Sequence, residues 1–147
     1  MENNKVIFTT SEVETEKIGE ELAKKLSIPS VILLEGNLGA GKTVFARGFA
    51  RGLGITEPLS SPTYTIVQEY EIPNNKGRLY HLDLYRISGV NAALGFGIDE
   101  FLCDKRAICL VEWPERIETM LPDSAIKITI EHQNETSRKI TISTSYQ

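Results

Sequence analysis

The chain has 147 residues, a length that matches one ordinary domain with a single hydrophobic core. Its 16 Lys and Arg residues are outnumbered by 20 Asp and Glu residues, so the molecule as a whole does not attract nucleic acid, and any RNA contact would be local or made through a partner. No apolar segment is long enough to span a bilayer and the N-terminus lacks the pattern of a signal peptide, so we expect a single cytosolic domain over residues 1–147 with no membrane contact.

The first predicted elements are a short strand and a helix. Residues Lys5 to Thr9 have the composition of a strand. Ser11 and Glu14 form an S-x-x-E capping box, which predicts that a helix begins there. Its apolar face repeats every fourth residue, at Ile18, Leu22 and Leu26. The SIPS turn at residues 27–30 then ends the helix.

The stretch GNLGAGKT, Gly36–Thr43, has the form G-x-x-x-x-G-K-[ST] of a phosphate-binding loop. It follows an apolar run at Val31–Leu34, which is typical of a buried parallel strand, and precedes a second helical pattern. That helix has an apolar face at Phe45, Phe49 and Leu53. In such a loop Lys42 reaches the β- and γ-phosphates of a nucleotide and the Thr43 hydroxyl ligates magnesium. The alternative is a glycine-rich surface turn that happens to contain Lys-Thr.

The middle of the chain predicts a hairpin followed by less regular structure. The segment ITEPLSSPTY, residues 55–64, is rich in residues that stop regular structure and is expected to be a loop. Two β-rich runs, residues 63–72 and 78–86, are joined by PNNKG and predict an antiparallel pair. Residues 88–104 are expected to be irregular to helical.

The last third predicts a buried strand and a terminal hairpin. Ala107–Glu112 is a second continuous apolar run, and residues 125–132 and 138–144 alternate apolar and polar side chains on either side of QNETS. The chain therefore predicts an α/β domain with the P-loop NTPase fold, in which parallel core strands are extended by antiparallel strands into a mixed sheet flanked by helices.

Two acidic residues are candidates for the magnesium site. Thr43 alone cannot fix an ion that requires octahedral oxygen ligands, so a carboxylate at the end of a neighbouring strand is needed. Glu112 ends the buried apolar run, and Asp83 ends a more polar strand. One of the two would hold the metal, directly or through water, and the other would orient the attacking water; the pattern leaves this division open. For each acid the alternative is a solvated strand end or an ordinary ion pair.

The cysteines and histidines predict no metal site of their own. Cys103, Cys109, His81 and His132 show neither C-x-x-C nor H-x-x-x-H spacing. Cys109 lies inside the apolar run and is expected to be buried packing.

Four motifs together resemble the bacterial TsaE family. They are GNLGAGKT, SPTY (Ser61–Tyr64), HLDLYR (His81–Arg86) and LVEWP (Leu110–Pro114), in this order, and the resemblance covers nearly the whole chain. It implies an ATPase that is required, with TsaB and TsaD, for making N6-threonylcarbamoyladenosine in tRNAs that read codons starting with A. It also implies that TsaD performs the carbamoyl transfer, that tRNA is met only through the complex, and that ATP hydrolysis is weak alone and serves turnover of the assembly.

The resemblance also implies roles for individual residues. The phosphates are wrapped by the loop residues Asn37, Leu38, Gly39, Ala40, Gly41, Lys42 and Thr43. Thr43 and Glu112 are the expected magnesium ligands, and Asp83 is the expected second acid, so that Lys42, Asp83 and Glu112 form the catalytic set.

Four further positions are implied around the nucleotide. Thr63 resembles the hydroxyl of a switch segment that senses the γ-phosphate. Trp113 corresponds to the family's tryptophan beside the nucleotide, with a core-packing indole as the alternative. Glu12 and Arg138 lie where family members contact the nucleotide, although Arg138 has the alternative of a solvated strand residue.

Three other functions compete with a partner-dependent ATPase. A small-molecule kinase would need an arginine-bearing lid, and the arginines of residues 86–106 stand only at the edges of that segment. A GTPase is disfavoured because the nearest match to its base-reading motif, Asn75–Arg78, ends in arginine where an acid is needed. A nucleotide-dependent assembly switch without turnover would need only differential affinity for ATP.

Fast hydrolysis by a P-loop protein needs a cation aimed at the transition-state charge. No arginine of this chain lies in an obvious finger loop, and Arg47 and Arg51 fall on the helix face opposite Phe45 and Phe49, where we expect solvent. A partner that completes the site would therefore couple hydrolysis to assembly.

Overall fold

A seven-stranded mixed sheet with helices on both faces organises the chain. The computed structural model describes residues 2–37, 39–59 and 66–145. Within that part the strands are β1 (Glu2–Thr9), β2 (Ser30–Glu35), β3 (Val67–Ile72), β4 (Gly77–Asp83), β5 (Ala107–Glu112), β6 (Ile126–His132) and β7 (Arg138–Ser145). The helices are α1 (Glu12–Lys25), α2 (Lys42–Gly52), α3 (Val90–Gly95), α4 (Ile98–Leu102) and a 3₁₀ helix over Pro114–Met120.

The order of strands across the sheet is β1-β7-β6-β2-β5-β4-β3. The central strands β6, β2, β5 and β4 run parallel to one another. At the two sides, β7 pairs antiparallel with β6 and β1, and β3 pairs antiparallel with β4. This confirms the predicted mixed sheet with a parallel core and antiparallel extensions. Parallel strands covered on both faces are rich in apolar side chains, and all six residues of β5 are buried, with Glu112 at its end the single polar one.

The strand predictions hold best where burial is complete. The bounds of β5 are as predicted, and both hairpins are confirmed. Strand β1 begins earlier than predicted, because its polar first residues pair with β7 from Glu2 opposite Ser145. The run predicted over residues 78–86 was too long: β4 ends at Asp83, whose carboxylate accepts the Tyr85 N–H at 3.1 Å and turns the chain.

The predicted capping box at the start of α1 is half confirmed. The Glu14 N–H donates to Ser11 Oγ at 3.2 Å, as expected. The return bond differs, because the Glu14 carboxylate accepts the N–H of Thr10 at 2.7 Å rather than that of Ser11. The cap therefore also fixes the residue that joins β1 to α1.

Each face of the sheet carries its own hydrophobic core. Helices α1 and α2 cover one face, where the predicted helix residues Phe45 and Phe49 are fully buried against the sheet. The predicted apolar face of α1 packs against this core as partly buried side chains, at Ile18, Leu22 and Leu26. The region predicted as irregular to helical, α3 and α4, covers the other face together with the 3₁₀ helix, and Cys109 is buried there as expected. No helix in the described ranges is both long and apolar enough to cross a membrane.

Two glycines of α2 allow it to approach α1 closely. A Cβ atom at Gly48 would lie 1.8 Å from the Glu16 carbonyl oxygen, and one at Gly52 would lie 2.4 Å from the Glu20 carbonyl oxygen. Real Cβ atoms do not approach oxygen so closely, so only glycine fits at these positions. The contact fixes α2, and with it the loop that precedes α2.

We expect Gly48→Ala to lower the free energy of unfolding by about 2–3 kcal/mol, because overpacking of a fixed backbone contact outweighs the helix propensity gained. The matched control is Gly95→Ala at the end of α3, where an added Cβ meets no atom of the described residues within 4 Å. Urea denaturation of both variants measures the difference. A loss of stability for Gly95→Ala as large as that for Gly48→Ala would contradict the packing argument.

Candidate nucleotide site

The loop between β2 and α2 has a backbone that requires glycine. Gly41, the residue before α2, has φ of 110°, in the left-handed region. Gly36 lies so close to β6 that a Cβ there would be 2.7 Å from the Ile130 carbonyl oxygen. The glycines thus curl the chain tightly over the ends of β2 and β6, the shape that the motif predicts.

The first turn of α2 presents backbone donors. Gly41 supplies no side-chain cap, so the first N–H groups of this 11-residue helix have no capping side chain. The positive end of the helix dipole also lies at this first turn of α2. Loop and helix start together make a ready site for a phosphate group.

Arg138, at the start of β7, ties this loop to the β6–β7 turn. Its Nε donates to the Ala40 carbonyl oxygen at 2.8 Å, and its Nη1 donates to carbonyl oxygens of Asn134 and Ser137, both at 3.0 Å. The side chain is half-buried and lines the cavity over α2. It is therefore more than the solvated strand residue that sequence left open, because it holds the loop backbone in place.

A cavity of about 600 Å³ opens over the start of α2 and brings most predicted site residues together. Those that line it are Glu12, Gly39, Gly41, Lys42, Thr43, Asp83, Glu112, Trp113 and Arg138. Asn37 and Ala40 instead line a second cavity of about 510 Å³, which shares Lys42 and Trp113 with the first. Leu38 and Thr63, also predicted to lie at the nucleotide, fall outside the described residues.

The two candidate acids lie side by side. Asp83 and Glu112 are paired in the register of the parallel strands β4 and β5, and Glu112 is also paired with Leu34 of β2. Burial raises the pKa of Asp83, and the Glu112 charge adds to this, while the Tyr85 N–H, the His81 ring and the Lys42 charge act in the opposite direction. The carboxyl ends of neighbouring parallel strands thus place both acids at one end of the sheet, where a magnesium site next to Thr43 was expected to need a carboxylate.

Lys42 is a buried cation held between an acid and an aromatic ring. Its side chain is 8% exposed, its Nζ lies 3.9 Å from Glu112 Oε1, and the same atom lies 4.5 Å from the centroid of the Trp113 ring. A buried ammonium is costly unless it is paired, so it favours an anion in the adjoining cavity.

Trp113 combines both of the roles considered from sequence. Its indole packs partly buried against the second core and also lines both cavities, with the Tyr85 ring 5.0 Å away. Its backbone has φ of 59°, which is rare for a bulky residue and costs free energy. This strained turn directly after β5 aims the ring at Lys42.

His81 is the site residue that sequence reasoning missed. The side chain is 5% exposed, and its Nε2 lies 2.7 Å from Glu112 Oε2. The available signal was the H-x-D spacing in a strand, because residues two apart in a strand share a face and His81 therefore lies on the same face as Asp83. The sequence does not show that β5 lies beside β4, so the spacing alone does not identify Glu112 as the partner of His81.

The donor set fits a hard cation that is shared with phosphate. Among the described residues, no cluster of three or more His, Cys, Asp or Glu side chains is placed to hold a metal ion alone. The oxygens that line the cavity, from Thr43, Asp83 and Glu112, suit Mg²⁺, which commonly takes one or two carboxylates and completes its shell with phosphates and water.

Neither arginine of α2 is among the described residues that line the two cavities. Arg47 and Arg51 on α2 are exposed as expected, and Arg51 forms an ion pair with Glu16 of α1. Arg138 lines the cavity, and its Nε and Nη1 donate to backbone carbonyl oxygens.

Comparison with known proteins points to one family. The family model "Threonylcarbamoyl adenosine biosynthesis protein TsaE" matches residues 9–140. The chain is 42% identical over 135 residues to the tRNA threonylcarbamoyladenosine biosynthesis protein TsaE of Bacillus subtilis, covering 90% of this chain and 81% of that protein. It is 40% identical over 144 residues to the TsaE protein of Aquifex aeolicus, covering 97% and 98%. Among solved structures, it is similar to the crystal structure of Bacillus subtilis YdiB, with a TM-score of 0.81 and 36% identity over 98% of this chain and 87% of that one.

We expect Asp83→Asn to stabilise the fold in a pH-dependent way. Because the folded-state pKa of Asp83 lies above the usual value of 3.8, the charged carboxylate is disfavoured by folding. The gain from Asn is therefore near zero below the usual value, grows as pH rises through the folded-state pKa, and is complete above it. The Asn side chain keeps an oxygen for the Tyr85 N–H.

Urea denaturation at a series of pH values measures this gain, with Asp123→Asn at an exposed position as the control. A gain that shrinks as the pH rises would show that the sign of the Asp83 shift is wrong.

Proposed function

The chain belongs to the TsaE family of tRNA threonylcarbamoyladenosine biosynthesis proteins, and from this premise we propose that it binds and hydrolyses Mg·ATP in support of that modification. The observation that carries the proposal is the convergence of Lys42, Asp83 and Glu112 on one cavity at the start of α2. A glycine loop, a buried lysine and two strand-end acids in one place are what phosphoryl transfer from a nucleotide requires.

The loop residues would bind the phosphates. Backbone N–H groups of the loop and of the first turn of α2 would donate hydrogen bonds to phosphate oxygens. Lys42 would exchange its distant contact with Glu112 for a contact with those oxygens. Arg138 holds the loop in shape through Ala40 while the phosphates are bound. Glu12, exposed at the start of α1, and Trp113 line the walls on which the rest of the nucleotide would lie.

Thr43 and Glu112 would hold the magnesium ion. When bound, Mg²⁺ supplies neutralisation of phosphate charge. Asp83 lies next to Glu112, and burial raises its pKa, which favours uptake of a proton. We therefore assign to Asp83 the role of orienting the attacking water. The wall of β4 and β5 behind both acids keeps bulk water from that side.

Partners would complete the machinery. We propose TsaB and TsaD as the protein partners, with tRNA met through the complex, because the chain has a net charge of −4 and therefore no overall attraction to RNA. Hydrolysis by the isolated protein is expected to be weak, since the cavity lacks a free guanidinium among its described lining residues.

The kinase alternative is weakened by the fold. The segment that would serve as its lid, residues 86–106, contributes α3 and α4 to the core on the opposite face of the sheet, with Ala93 and Ile98 fully buried. A lid must be free to close over the phosphates. The assembly switch without turnover remains the competing function, and it differs from the proposal only in whether hydrolysis is needed.

ATP hydrolysis measured with and without a purified TsaB–TsaD pair tests the proposal. We expect at least about tenfold stimulation by the pair, because a partner that completes the charge around the phosphates accelerates P-loop hydrolysis strongly. Lys42→Ala should remove both basal and stimulated activity.

Glu112→Gln separates the enzyme from the switch. If this variant still binds nucleotide but supports neither hydrolysis nor tRNA modification, turnover is required. If tRNA modification proceeds normally with Glu112→Gln, the protein acts as a switch and the proposed hydrolytic role is wrong.

Trp113 provides a direct report of nucleotide binding because it is the single tryptophan of the chain. Phosphates that draw Lys42 away from the indole would remove a cation–π contact, so we expect a saturable change in Trp113 fluorescence on titration with Mg·ADP. Lys42→Ala should not show that change, whereas Lys139→Ala, a neighbour of Arg138 outside the cavity lining, should retain it. A titration of the wild type with neither a fluorescence change nor heat by calorimetry would refute nucleotide binding.

A further inference from the structure

His81 is a buried polar side chain for which the proposed function has no role. It lies in β4, opposite Leu110 of β5 and Gln68 of β3, and the buried Leu79 and Leu110 flank it on this face of the sheet. A phosphate site needs a lysine, a hydroxyl and acids, but not an imidazole. The ring must therefore be explained by what it contacts.

The contact is with Glu112. His81 Nε2 lies 2.7 Å from Glu112 Oε2, which is a short hydrogen bond. An ionised carboxylate has no proton to donate, so the histidine is the donor. We assign the ring proton to Nε2, because the other tautomer would set two lone pairs against each other at this distance.

The other ring nitrogen has no hydrogen-bond partner in the described part of the chain. Nδ1 is buried and lacks a hydrogen bond to any described residue, and a buried polar atom without a partner costs free energy. If His81 served only for packing, an apolar side chain of similar size would make the fold more stable. The cost of the orphaned Nδ1 is therefore offset by what Nε2 does for Glu112.

The two oxygens of Glu112 face different groups. Oε2 accepts from His81, and Oε1 lies 3.9 Å from Lys42 Nζ, beyond hydrogen-bonding distance. If Oε2 were released, the carboxylate could rotate and close on the lysine. A tight ion pair between Lys42 and Glu112 would occupy both side chains, so that Lys42 could not bind phosphate and Glu112 could not bind the metal ion.

We propose that His81 is a positioning residue that holds Glu112 Oε2, so that Oε1 stays available to a divalent cation and Lys42 stays available to phosphate. The inference rests on the proposed function, in which Glu112 ligates Mg²⁺. Partners that hydrogen-bond a metal-ligating carboxylate usually change metal affinity or activity by about 10- to 100-fold when they are removed.

Two variants of equal side-chain length separate donation from packing. His81→Gln keeps an amide N–H near the position of Nε2, and His81→Met fills similar space without a donor. For each variant, calorimetry gives the affinity for ADP in EDTA and in Mg²⁺, and the ratio of the two is the gain due to the metal. Urea denaturation shows that both variants are folded.

We expect the gain due to Mg²⁺ to fall by about tenfold or more in His81→Met and to stay within about threefold of wild type in His81→Gln. A full gain in His81→Met would overturn the inference, and so would equal losses in two well-folded variants.

A second measurement does not depend on nucleotide chemistry. Nitrogen-15 NMR of wild-type protein in EDTA should show His81 with a proton on Nε2. The opposite tautomer would overturn the positioning role even if nucleotide binds as proposed. A wild type with the expected tautomer but no gain from Mg²⁺ would instead contradict the proposed function and the positioning role that rests on it.

Discussion

A buried ion pair at the carboxyl end of a parallel sheet is the constraint on which the site depends. Lys42 and Glu112 are both almost fully buried, and His81 adds a second buried polar group to the same carboxylate. Charges in such surroundings are costly unless each has a partner, so the backbone elements that carry them must be placed accurately. The rest of the fold supplies that placement.

Two features of the fold do so. The parallel register of β2, β5 and β4 brings Glu112 beside Asp83 and keeps both next to the strand that enters the loop. The close contact of α2 with α1, made possible by Gly48 and Gly52, fixes the helix that carries Lys42. A slip of either β4 or β5 by one residue would turn its acid to the opposite face of the sheet and separate it from the other.

Sequence predicted those parts of the molecule whose signal is local. The order of β2, loop and α2, the completely buried β5 and both hairpins follow from short patterns, because their composition and turn residues suffice. The end of β4 was missed because the Asp83 side chain turns the chain there, and this is not visible in β propensity. His81 was missed because its meaning depends on a strand that lies 31 residues away in sequence. Arg138 was placed near the nucleotide only by resemblance, since its bond to Ala40 spans 98 residues.

The polar cluster cannot be explained by stability. Replacing a buried ion pair with apolar side chains of similar volume is often neutral or stabilising by about 1–4 kcal/mol, and here the orphaned Nδ1 of His81 and the strained backbone of Trp113 add further cost. The remainder of both cores is apolar and well covered, so the fold does not need these groups. Lys42, Glu112 and Trp113 line one cavity at the start of α2, and this common location supports the function proposed above, because phosphate would give Lys42 a partner and a divalent cation would give Glu112 one.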